Sequence, residues 1–297
     1  MSKQDNLTDF LTDVADAIRE KKGTTEKINP QNFSEEIKGI ESGGGDDGFN
    51  AKIEIPDRTI CDPKSITRAV VDEGVLIVQG FEGCRSLAEI VIPEGVTTFE
   101  GNTFQDCAKL SKINFPNSLT KTGMNCFHGC EAMPTIELGD NVIQIAVPFG
   151  ANMRSLTSLS VSKNNPKYDS RDECNAIIET STNGLIAGCN VTVIPDTVTT
   201  IGRYAFRMYQ IKKMYFPPSV ATIESDAFSG CSNMELYDFH DHESVPNLAA
   251  TSALVGTSTY KIVVPDTLYD DWIAATNWST YASKIVKASE FVEPTNE

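Results

Sequence analysis

The chain has 297 residues, 22% of them charged and 40% hydrophobic, with a formal net charge of −16. That acid excess repels phosphate, so no nucleic-acid partner is expected, and it disfavours an anionic lipid surface. No apolar run approaches the roughly 20 residues that a membrane span needs, so membrane insertion is not expected either.

The first forty residues follow helical periodicity. Leu7, Leu11, Val14 and Ile18 recur at four-three-four spacing and share one helix face, which Phe10 and Ala17 widen. Asp5 or Asn6 serves as N-cap, while Lys21, Lys22 and Gly23 make a basic last turn and a stop. A second helix starts at Asn29-Pro30 and carries Phe33, Ile37 and Ile40. Residues 1–41 therefore read as a helical hairpin with an apolar stripe on each helix. Two lone helices cannot bury both stripes, which makes Leu11, Val14, Ile18 and Ile37 candidate partner-binding residues. The start, Met1-Ser2-Lys3-Gln4-Asp5-Asn6, has no apolar stretch behind a basic region, so no secretory signal is expected there.

Residues 42–48, Ser42-Gly43-Gly44-Gly45-Asp46-Asp47-Gly48, read as a flexible linker. The glycine run lacks a preceding strand and a following Lys, so it is not a phosphate loop. Residues 49–79 contain one Ile53-Glu54-Ile55-Pro56 segment and are expected to form the N-terminal cap of a second domain.

From residue 80 the sequence repeats. Phe81, Phe104 and Phe127 are 23 residues apart, as are Cys84, Cys107 and Cys130, and Leu87, Leu110 and Met133. Ile90-Val91-Ile92-Pro93 returns as Ile113-Asn114-Phe115-Pro116. The unit is F-x-x-C-x-x-L-x-x-I-x-I-P followed by V-T-x-I, with later copies at 152–161, 189–195, 206–217 and 228–239 and an insertion at 162–188. Each copy carries a short strand with inward alternate residues such as Ile90 and Ile92, and a returning segment such as Val198 to Ile201. One copy cannot bury its apolar face alone, so copies stack at a strand spacing of about 4.8 Å, with the phenylalanines in an internal column. The eight cysteines include no C-x-x-C pair. Copies with Asn152 or Tyr209 at the cysteine position obey no pairing rule, so buried free thiols are expected. At the far end, Val263-Val264-Pro265-Asp266 reads as a last strand with Asp266 capping a helix. Residues 263–297, with Trp272, Ile273, Trp278, Tyr281, Ile285 and Val286, then form a C-terminal cap.

The pattern AF-x-G-C-x-x-L-x-x-I-x-I-P-x-x-V-T-x-I-G, carried best by Phe228-Ser229-Gly230-Cys231 and Val198-Thr199-Thr200-Ile201-Gly202, resembles the BspA-type leucine-rich repeats of bacterial surface and phage proteins over roughly residues 75–265. The insertion, from Asn165-Pro166-Lys167-Tyr168 to Gly184-Leu185-Ile186, resembles a segment of that family too. The fold class implied is a β-rich leucine-rich-repeat solenoid (80–262) with an N-terminal helical hairpin and a C-terminal helical cap. Over residues 7–40, Leu11-Thr12-Asp13-Val14-Ala15-Asp16-Ala17-Ile18-Arg19 and Ile28-Asn29-Pro30 are similar to a short module at the start of many phage tail-associated proteins.

Catalytic patterns are missing: there is no G-x-S-x-G elbow and no H-E-x-x-H, and no cofactor is expected. Asp238, His240 and His242 alternate, and an extended chain would place all three on one side, where they would suit zinc or nickel. The plainer alternative is polar residues facing solvent beyond a strand. Counting back from each proline, the outward strand residues are Glu89 and Val91, Lys112 and Asn114, Thr135 and Glu137, Ser158 and Ser160, Val191 and Val193, Lys213 and Tyr215, and Leu236 and Asp238. Val191, Val193, Tyr215 and Leu236 would then make one exposed apolar patch, a candidate partner-binding site, unless the insertion folds over it. The resemblances together imply a non-enzymatic virion protein of a phage tail or fibre. Its hairpin would bind other virion proteins and its solenoid a host surface protein or glycan. A bacterial cell-surface adhesin is the alternative, and self-association a further reading.

Overall fold

Residues that alternate apolar and polar over three or four positions, punctuated by glycine, asparagine and proline, form short strands rather than long ones. The structure, a computed structural model, describes residues 66–292; the chain divides into two units, Met1–Phe49 and Asn50–Glu297, and the described residues belong to the second. The expected hairpin with Leu11, Val14, Ile18 and Ile37, the 42–48 linker, and residues 49–65 lie outside the described residues.

The strands come in pairs, one from each side of a coil. The first coils supply β1 (Arg68–Val70) and β2 (Ile77–Val78), β3 (Glu89–Val91) and β4 (Thr98–Phe99), β5 (Lys112–Ile113) and β6 (Lys121–Thr122), β7 (Thr135–Leu138) and β8 (Gln144–Ile145), then β9 (Ser158–Val161). On the front face β1, β3 and β5 pair in parallel, as do β7 and β9, with Arg68 in register with Glu89 and Glu89 with Lys112. On the return face β2, β4, β6 and β8 pair in parallel, aligning Ile77, Thr98, Lys121 and Gln144. The coil of β1 and β2 is already in ladder register. Residues 66–79 therefore carry one strand of each face.

Between the faces lies the core. Phe81, Phe104, Phe127 and Phe149 form a column with ring centroids 5.7, 5.6 and 5.4 Å apart, and Phe99 meets Phe104 edge-on at 5.4 Å. Leu87, Leu110, Met133 and Leu156 are buried beside it, as are Ile90, Ile92 and Ile136 from the strands. The column resumes at Phe206 and Phe228, stacked at 4.9 Å. The seven described cysteines are buried free thiols.

The insertion joins the return face. β10 (Tyr168–Asp169) and β11 (Ile177–Glu179) are antiparallel, β11 and β12 (Gly184–Ala187) likewise, and β12 pairs in parallel with β13 (Thr200–Ile201). Gly184–Ala187 is thus a return strand in its own right, and the extra chain ends near residue 183. The Tyr168 hydroxyl accepts from Ile145 N–H at 3.2 Å, tying the hairpin to β8. On the turn edge the stack ignores the insertion: Gly129 N–H donates to Ala151 (2.8 Å), Asn152 N–H to Arg207 (3.4 Å) and Met208 N–H to Ser229 (2.8 Å).

The remaining coils give β14 (Lys213–Tyr215), β15 (Thr222–Ile223), β16 (Leu236–Asp238), β17 (Asn247–Leu248) and β18 (Lys261–Val264). The C-terminal cap holds one short helix, α1 (Tyr269–Ala274), flanked by 3-10 turns, and then β19 (Ile285–Lys287), which pairs in parallel with β18. The strand ending at Val264 is therefore not the last. Nor does Asp266 cap a helix: Pro265 holds the N-cap position, and the Asp266 carboxylate accepts from the Ser289 N–H at 3.0 Å. Trp272 and Trp278 close the end against Phe239, at 5.4 and 5.5 Å between centroids.

Candidate binding face

The front ladder turns alternate side chains outward in register from coil to coil. Arg68 pairs with Glu89 across one rung at 3.6 Å, and Lys112, Thr135 and Glu137 stand exposed further along. β5 stops at Ile113, because the Asn114 amide takes over the ladder: it accepts from Ile92 N–H at 2.8 Å and donates to Ile92 C=O at 2.6 Å.

At Val191–Pro195 the front ladder breaks. Cys189 and Pro195 are six residues apart where Cys84 and Pro93 are nine apart, so this coil is too short to lay a full strand. The turn of the insertion fills the rung instead. Ser170 Oγ accepts from Val161 N–H (3.0 Å) and donates to Ala176 C=O (2.6 Å) on one side. On the other, Val193 N–H donates to Cys174 C=O (3.1 Å) and Thr192 Oγ to Asn175 C=O (2.6 Å). Asn190 holds the coil to both neighbours, donating to Arg154 C=O at 2.8 Å and accepting from Gln210 N–H at 2.9 Å. Alternation survives without the strand: Thr192 and Ile194 are buried, Val191 and Val193 exposed.

The insertion's strands lie on the return face and do not cover the patch. Val193 is 70% exposed, Val191 45% and Tyr215 40%. Leu236 does not join them; it is only 7% exposed. It sits on a central strand, in register between Lys213 and Lys261, where long aliphatic stems on both sides screen an outward leucine.

The alternating triad is divided by a turn at His240-Asp241. His240 Nδ1 lies 2.8 Å from Asp238 Oδ1, and its Nε2 lies 3.0 Å from Asp241 Oδ2, which also accepts from the Tyr215 hydroxyl at 3.2 Å. His242 turns inward, 5% exposed, with Nε2 3.2 Å from Phe216 C=O and its ring against Phe239 and Trp272. Burial lowers its pKa. Asp238 and His240 come together, His242 leaves, and Asp241 takes its place. Among the described residues no three His, Cys, Asp or Glu side chains converge as a metal site. The described thiols are withdrawn too: burial pushes Cys174 up to about 11 and Cys231 up to about 12.

Six copies of the BspA type leucine rich repeat region match residues 63–172 and 185–269. No curated protein matches the chain. Among solved structures it is similar to the pneumococcal vaccine antigen PcpA, at 18% identity and a TM-score of 0.48, over 68% of this chain and 60% of that one. It is also similar to a leucine-rich repeat protein from Eubacterium ventriosum (18% identity, TM-score 0.47, 69% and 67% covered) and a leucine rich cell surface protein from Faecalibacterium prausnitzii (18%, 0.47, 68% and 68%). The chain thus spans 60% of the length of the pneumococcal antigen.

Proposed function

The chain belongs to the BspA-type leucine-rich-repeat family, and from that premise we propose that it is a non-enzymatic contact protein whose solenoid presents its front face to another protein. The observation that carries this reading is the exposure of Val191 and Val193, on a short coil pinned by hydrogen bonds to Cys174, Asn175, Arg154 and Gln210, beside Tyr215 on the ladder strand β14. Side chains on a backbone pinned this way lose little freedom on binding, so contact is favoured without new folding. Among the described residues His240 lies between two carboxylates, and the seven cysteine thiols are buried.

For its place we propose a phage virion, with residues 1–41 attached to other virion proteins through Leu11, Val14, Ile18 and Ile37. The similarity of that segment to tail-associated modules supports this, and the partner of the solenoid is then a host surface protein. Membership of the repeat family fits a bacterial cell-surface adhesin equally well. Immunogold labelling of phage particles and of producing cells separates the two. Particle labelling that disappears in the Leu11→Asp/Val14→Asp variant is the expected result; labelling of intact cells alone selects the adhesin. Failure of the full chain to bind either surface contradicts the contact function itself.

A further inference from the structure

We propose that Val191, Val193 and Tyr215, with Asp196, Asp238 and Asp241 around them, form a docking subsite for a basic protein segment that carries an apolar side chain. The proposal rests on the reading of the front face as the contact surface, and it names where on that face and for what chemistry.

Three observations converge here. First, the other exposed large hydrophobics among the described residues, Leu76, Ile77, Met124, Ile143, Val147 and Val292, lie on return segments or at the C-terminal end. Those of the front face all fall on two adjacent coils, at the homologous outward positions of Val191–Val193 and of Tyr215. Second, the short coil is held from beneath through two of its polar groups, with Val193 N–H donating to Cys174 C=O and Thr192 Oγ to Asn175 C=O. The side chains it turns outward, Val191 and Val193, are apolar, and a single aliphatic side chain can bury against them.

Third, the surroundings are acidic. Asp196 and Asp241 are exposed and Asp238 partly so. Desolvation raises the Tyr215 hydroxyl pKa first, and the charges of Asp241, Asp196 and Asp238 raise it further. The cations nearby are engaged. Arg171, which reaches Thr197 at 3.1 Å, is held by Asp169 through contacts of 2.8 and 2.6 Å. His240 sits between Asp238 and Asp241, and Lys213 has a partner of its own. Lys or Arg from a partner therefore meets the Asp196 carboxylate and the Asp241 Oδ1, since His240 and Tyr215 both contact Asp241 through Oδ2, with the Tyr215 ring beside them. A sugar is the poorer fit. The Tyr215 hydroxyl is committed to Asp241, and valines offer no hydrogen bonds to a ring of hydroxyls.

The test uses the full chain and a soluble Gly/Ser peptide carrying two Arg around one Leu, with counterparts in which Arg becomes Gln or Leu becomes Gly. By fluorescence anisotropy the parent peptide should bind about tenfold more tightly than either counterpart. Val193→Ser and Asp196→Asn/Asp241→Asn should each weaken it by about fivefold or more. Asp140→Asn/Asp271→Asn, which removes the same charge elsewhere, should change it less than about twofold. Thermal melts of each variant confirm folding, and Tyr215→Phe, which keeps the ring, should retain binding.

Absence of binding by the parent chain overturns the proposal. So does equal weakening by the distant charge pair, which would mean bulk attraction, or capture of a neutral oligosaccharide instead of the peptide. Adhesion of the full chain to the surface that its solenoid is proposed to meet, the host cell for a virion protein or the target surface for an adhesin, is measured in parallel. If Val193→Ser leaves adhesion intact while Glu137→Arg abolishes it, the subsite fails and the front-face reading stands. If neither variant changes adhesion, both fail.

Discussion

The Sγ of Cys107 donates to the backbone carbonyl of Phe81, 3.0 Å away and 26 residues earlier in the chain. The same carbonyl closes its own turn by accepting from Cys84 N–H at 3.1 Å, so the thiol of the next coil takes its second lone pair. The relationship repeats from Cys130 to Phe104 (3.2 Å) and from Cys231 to Phe206 (2.8 Å). The phenylalanine and the cysteine of the repeat are thus linked through the backbone as well as through the core: one coil leaves an acceptor, the next supplies the donor.

Cys107→Ala should leave the Phe81 carbonyl one donor short and cost about 1–2 kcal/mol, with Cys107→Ser recovering part of it. Burial raises the pKa of Cys107 well above that of an ordinary thiol, so Cys107 is not present as thiolate at neutral pH. Alkylation followed by peptide mass spectrometry should find the seven described cysteines unmodified in the native protein and modified in denaturant. Rapid native labelling of Cys107 would contradict this arrangement.

Phe104→Ala removes the middle ring between Phe81 and Phe127 and should cost about 3–5 kcal/mol, more than the cysteine variant. Guanidinium denaturation measures it. A loss below about 1 kcal/mol, on the order of a surface change, would mean that the column does not bear on stability.

The column, the inward strand residues and the free thiols can all be read from a 23-residue period, because periodicity reports which side of a coil a residue faces. The same phase puts Val191 and Val193 outward, where the structure has them. Leu236 differs. Its outward phase is right, but burial depends on flanking strands, and sequence phase carries no information about Lys213 and Lys261 beside it. His242 departs from its expected side because the alternation does not continue past Asp238 through the turn. The break in the front ladder has a legible signal, the short Cys189 to Pro195 spacing, but which chain fills the gap depends on tertiary hydrogen bonds from Cys174 and Asn175. The return strand at Gly184–Ala187 hides within the insertion because its own repeat motif is degenerate.

Gly188 packs closely against the Phe206 ring of the second phenylalanine column. A Cβ there would stand 2.1 Å from Phe206 Cε1, whereas one at Gly139 meets nothing within 4 Å. Gly188→Ala should destabilise by about 1–3 kcal/mol through overpacking. Gly139→Ala should stay within about 0.5 kcal/mol. Equal melting temperatures for the two variants would contradict the close approach.

His242 gives a pH dependence whose sign follows from its burial. Its pKa is lowered from 6.5, so the unfolded chain binds the proton more readily than the folded one. The stability it contributes is complete above 6.5 and is lost as pH falls below that value, until the folded-state pKa is passed. Between about pH 7 and 5 the parent should lose stability, and His242→Gln should lose less over the same interval. His128, lowered in the same direction, keeps a residual slope in the variant. A parent stability that rises on acidification over this interval would reverse the assignment.

Whether the front face of the solenoid is the surface that meets a partner can be read by photo-cross-linking from single positions in the full-length protein, on its native particles or cells held against the surface they adhere to. A photoreactive phenylalanine analogue replaces Val193 on the front face, and in a second protein Gln144 on the return face, both of which are exposed. A front-face contact gives a discrete protein adduct from position 193 and none from position 144. An adduct from position 144 with none from position 193 would contradict it.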